Sequence, residues 1–121
     1  MFQVELRKLG SDRAAESLDS VIAKMWLEGW SPAFGEVDLF ARDFGALITG
    51  ALLRRLGGRL VLRSESDLSH ASIWWEHAQL EAFPFHKVLK CLLRREGESL
   101  VSFCRGLERI LQPTTRPSPT S

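Results

Sequence analysis

A chain of 121 residues, 45% hydrophobic and 26% charged, is the size of one compact domain, and it buries roughly two thirds of its unfolded surface without needing disulfides or a structural metal. Sixteen basic against fifteen acidic residues leave a formal net charge of +1, which excludes a whole-molecule field drawing the chain to nucleic acid or an anionic membrane. No apolar run approaches the roughly 20 residues that span a bilayer, and the charged N-terminus lacks the apolar centre of a signal peptide, so the composition predicts a soluble cytoplasmic protein with no membrane contact.

In chain order, Phe2, Val4 and Leu6 alternate with Gln3, Glu5 and Arg7, the pattern of a short half-buried strand or an extended arm. Ser11 then precedes a helical period in Ala14, Ala15, Leu18, Val21, Ile22, Met25 and Trp26, with Gly29 closing it. The segment EGWSPAFGEVD reads as a loop by its Gly and Pro content, with Glu36 and Asp38 supplying negative charge at the start of the next helix.

The second helix, Val37 to Leu56, carries a stripe of Phe40, Phe44, Leu47, Ile48 and Ala51, and further apolar residues at Leu39, Leu52, Leu53 and Leu56. Such a helix is covered on more than one side. Gly45, Thr49 and Gly50 are small enough to admit a neighbouring backbone, and GALITG lacks the Gly-Lys-Ser/Thr ending of a phosphate-binding loop, so these positions read as packing. Gly57 and Gly58 stop the helix.

RLVLRS and ASIWWEHA read as strands, with AQLEAF a short third, forming an antiparallel meander. Pro84 opens a third helix with Phe85, Val88, Leu89, Leu92 and Leu93, and REGES separates it from a fourth with Leu100, Phe103, Cys104, Leu107 and Leu111; the two are expected to form a helical hairpin. From residue 112 the chain has three prolines and no large apolar residue, too little burial to offset ordering entropy. The pattern predicts one α+β domain over residues 1–111, a small meander packed by about four helices, and a disordered tail over 112–121.

The run DLFARDFGALITGALLRRLGGRLVL, followed by AFPFHKVLKCLLRREGESLVSF and preceded by ESLDSVIAKM, resembles a set of small uncharacterised bacterial proteins, a domain of unknown function. Their plan is a Gly-containing helix, a Gly-Gly turn into a strand pair, and a Pro-Phe-x-x-Val helix. The similarity covers about Glu16 to Leu111 and departs after Gly58, where Leu60 and Val61 stand in place of a strand Trp. It implies the fold but no reaction, substrate or cofactor.

No catalytic or cofactor signature stands out, and none is expected to bind. Cys91 and Cys104 have no ligand spacing, and a helical wheel places Cys104 among Leu100, Leu107 and Leu111, with Cys91 at the edge of its helix's apolar face. Ser69 and Ser72 flank His70 without a nucleophile elbow. On a regular strand Glu76 and His77 point apart, while His70 in a turn and His77 at a strand end could approach each other, which keeps a small enzyme or metal-binding protein as an alternative. Arg54, Arg55, Arg59 and Arg63, with Arg94, Arg95, Arg105 and Arg109, suggest an Arg-patch nucleic-acid binder, but Glu65, Glu76, Glu96, Glu98 and Glu108 are interspersed among them, so a solvated surface is the better reading.

The adjacent tryptophans are the informative feature. In a strand Ile73, Trp75 and His77 share one face and Ser72, Trp74 and Glu76 the other; the face with β-branched Ile73 is the core, which leaves Trp74 on the outer face, to be covered either by the C-terminal helical hairpin or N-terminal arm of the same chain or by a partner, Trp being enriched at binding hot spots. The sequence therefore predicts a non-catalytic protein-interaction module, of immunity or adaptor type, that binds a protein partner or a second copy through the outer sheet face at Trp74, Glu76, Arg59 and Arg63.

Overall fold

The computed structural model of the chain describes residues 11–63, 68–93 and 98–111. Within them four helices and a three-stranded antiparallel sheet make the small α+β fold predicted above. The strand expected at residues 2–6 and the tail at 112–121 lie outside the described residues.

Helix α1 spans Ser11–Leu27. Ala14, Ala15, Leu18 and Ile22 recur every three or four residues, so they share one face, and all four are buried. The helix ends in a Schellman motif: Trp30 N–H donates to the Met25 carbonyl at 2.9 Å and Gly29 N–H to the Trp26 carbonyl at 3.1 Å, satisfying carbonyls that a helix end leaves bare. Trp30 is thereby turned back, edge-on to Trp26 at 5.8 Å and to Phe40 at 5.6 Å between ring centroids. This aromatic run ties the loop to the next helix.

Helix α2 spans Val37–Leu56. Phe44, Ile48, Ala51 and Leu52 are buried, and Leu53 and Leu56 pack against the core from its flank, so the helix is covered on more than one side as its sequence implies. Leu39, on its first turn, is an exception and faces solvent. Gly45 admits a ring rather than a backbone: a Cβ there would sit 2.3 Å from Cδ2 of Phe85. Gly50 meets only Arg54 of its own helix, so the expected close approach of a backbone is corrected at both glycines, and Gly45 alone serves packing between helices.

The chain leaves α2 through Gly57, whose N–H bonds the Leu53 carbonyl at 2.9 Å. Gly58 follows at φ 95, a left-handed conformation, and a side chain there would also collide with Ile73 and Trp75 at 2.7 Å. Strands β1 (Arg59–Val61), β2 (Ser72–Trp75) and β3 (Leu80–Ala82) lie in the order β1-β2-β3. Arg59 pairs Trp74 and Leu60 pairs Ile73 across one ladder; Ile73 pairs Ala82 and Trp74 pairs Glu81 across the other.

The middle strand is shorter than ASIWWEHA suggests. After Trp75 the chain enters a 3-10 turn at Glu76–Ala78, and Gln79 follows at φ 50, a left-handed residue that reverses the chain into β3. Glu76 and His77 are therefore exposed turn residues, and the strand-face assignment made for them from alternation is corrected.

Helix α3 spans Pro84–Leu93 and α4 spans Leu100–Leu111. Leu100, Cys104, Leu107 and Leu111 are buried as their spacing predicts. In α3 the face is rotated from the expected one: Cys91 is buried and Leu93 is exposed. The helical hairpin is corrected too, since α3 packs chiefly on α2 and α4 chiefly on α1. The Asp19 carboxylate of α1 accepts from Leu100 N–H at 3.0 Å and Val101 N–H at 3.1 Å and from the Ser99 hydroxyl at 3.2 Å, capping α4 from another helix. Among the described residues no helix is long and apolar enough to cross a membrane.

Candidate functional site

The two tryptophans of β2 separate as alternation requires. Trp75 is 1% exposed beneath Ile73 and the helices, and its indole N–H reaches the carbonyls of Leu56 and Gly57, both at 3.1 Å. The bond satisfies the polar end of a buried ring and fixes the last turn of α2 to the sheet. Trp74 points the other way, partly buried and outside the core cluster.

Register builds the rest of that face. Arg59 on β1 and Glu81 on β3 stand directly across from Trp74, so a cation and a carboxylate flank the indole. Arg63, just beyond β1, donates from Nη2 to Glu81 Oε2 at 2.6 Å, and from Nη1 to the Ser72 hydroxyl and the His70 carbonyl, both at 3.0 Å. Ser72 Oγ donates in turn to the same Glu81 oxygen at 2.5 Å. The Ser72 hydroxyl first, and the Arg63 guanidinium second, hold the Glu81 carboxyl below its ordinary value of 4.5. The Arg63 guanidinium carbon also lies 5.8 Å from the Phe83 ring centre, at the outer limit of cation–π range.

Of the four residues predicted for a partner, the structure thus gathers Trp74, Arg59 and Arg63 on one face, while Glu76 sits in the turn beyond the strand. Arg63 is committed to Glu81 and Ser72, and among the described residues Arg59 makes no ion pair. Sequence reasoning put Ser72 on this face but not its bonds to Arg63 and Glu81, and it missed Glu81. Ser72 is fully buried beneath this polar cluster although it lies on the outer face, and Glu81 was readable only as a same-parity residue once the β2–β3 register was known.

The rival chemistries do not converge here. His70 ends a 3-10 turn before β2 and His77 sits in the turn after it, so on the order of 10 Å of extended strand separates the two ends that carry them. The expectation that they could approach each other is corrected. Among the described residues no group of three or more His, Cys, Asp or Glu is placed to hold a metal. Cys91 and Cys104 are buried free thiols; burial first, and the Asp19 carboxylate second, push Cys91 up to about 12, far from a reactive thiolate. Within the arginine patch, Arg55 meets Glu108 at 3.6 Å and Arg105 meets Glu16 at 3.7 Å, so part of its charge is locally answered.

Three further apolar side chains are exposed around the sheet: Leu60 in β1 at 42%, Leu62 just after it at 56%, and Phe83 just after β3 at 37%. Comparison of the chain with protein-family models, with curated proteins and with solved structures found no match in any of the three.

Proposed function

We propose that the chain is a non-catalytic protein-interaction module of adaptor or immunity type, acting in the cytoplasm, with the outer face of its sheet as the docking surface. One observation carries this reading: Trp74 stands partly buried, outside the core, between Arg59, which makes no ion pair among the described residues, and a Glu81 already held in place by Arg63 and Ser72. A large ring surrounded by fixed charges is the composition of an interface hot spot. The two buried thiols without ligand spacing suit a reducing compartment.

Replacing Trp74 by Ala tests the reading. The variant is expected to melt within about 1 kcal/mol of the parent, because the ring adds little to the core, and to lose a stoichiometric protein partner, or a concentration-dependent dimer seen by sedimentation, that the parent retains. A variant that unfolds, or that keeps every association of the parent, would reject the outer face as the docking surface.

A further inference from the structure

Among the described residues the sheet is open along β1. That strand ladders only with β2, so among the described residues its far edge has no partner, and an edge strand presents backbone N–H and C=O groups ready to pair with another chain. Proteins usually blunt such an edge with charge or Pro along it, or cover its apolar side chains. Here β1 is only three residues long and carries Arg59, but Leu60 and Leu62 share a parity and are 42% and 56% exposed, and Arg59, of the other parity, is exposed and makes no ion pair among the described residues.

An added strand would meet these two sides separately. Its residues of one parity would cover Leu60 and Leu62, and those of the other would come beside Arg59. A second copy of β1 suits this poorly, since antiparallel self-pairing brings Arg59 and Arg63 of one chain toward those of the other. We infer that the β1 edge accepts an extended segment of a protein partner in which apolar and acidic residues alternate, by strand addition. The inference rests on the interaction-module reading and names the chemistry of its partner.

The probe is a synthetic peptide of alternating valine and glutamate, titrated into the full chain up to about 1 mM while backbone amide signals are followed by NMR. Signals of Arg59, Leu60 and Val61 are expected to shift saturably. Arg59→Glu should weaken binding about five- to tenfold and added salt should weaken it further, and a peptide with lysine in place of glutamate should not bind. Leu60→Lys, at an exposed position, should also weaken the peptide without altering the fold. The inference is overturned if β1 does not respond, if the lysine peptide binds equally well, if β1 signals instead report dimer formation without peptide, or if binding appears only after residues 1–10 are removed. A β1 that ignores the peptide while Trp74→Ala still abolishes partner binding would sink the strand-addition inference and leave the outer-face reading standing.

Discussion

Trp75 and Trp74 are neighbours in sequence with opposite tasks, and truncation should separate them. Trp75→Ala removes a fully buried ring and both of its carbonyl contacts, a loss of about 3–5 kcal/mol, readable as a shift in the denaturant midpoint; Trp74→Ala should move that midpoint far less. Glu81 has its own signature. Because its carboxyl titrates below 4.5 in the folded chain, the unfolded chain takes up that proton first as pH falls. The stabilisation from Ser72 and Arg63 is complete above the ordinary carboxylate value and disappears as pH falls through the folded one. Glu81→Gln should therefore melt below the parent at neutral pH, and the gap should close as thermal midpoints are followed from there down to about pH 2.

At the level of elements, α2 was legible to its ends because Glu36 and Asp38 flank its start and two glycines stop it, both local signals. The face of α3 was less so: Cys91 and Leu93 are both acceptable as core, and the helix that packs on them decides which is buried. The end of β2 was hidden for a different reason. Nothing in WWEHA excludes a longer strand, and the turn at Glu76–Ala78 becomes apparent only when β3 folds back to pair. The cap of α4 was beyond local reading, since its acceptor lies 81 residues from the Leu100 amide it holds. Asp19→Ala should cost about 1–2 kcal/mol in equilibrium unfolding, whereas Asp19→Asn, which keeps an oxygen acceptor, should recover part of that loss.

For the whole molecule, alternation and helical period predicted the α+β class and the inward side of the sheet, because burial acts on every residue of an element at once. The candidate site was legible only in part. Trp74 and the two arginines emerge from parity, but the Arg63–Glu81–Ser72 cluster joins three separated segments, and that juxtaposition is a product of topology rather than of any short motif.

The pairing of α1 with α4, clasped by Asp19, also sets an order of events during synthesis. At roughly 5–20 residues per second, about 80 residues take roughly 4–16 s to make. Helix α1 thus waits that long after leaving the ribosome, with the face carrying Leu18 and Ile22 uncovered by its last partner. Its amphipathic stripe is finished early and sheltered late, which makes the nascent chain that still lacks α4, rather than the folded domain, the stage most exposed to aggregation and to chaperone capture.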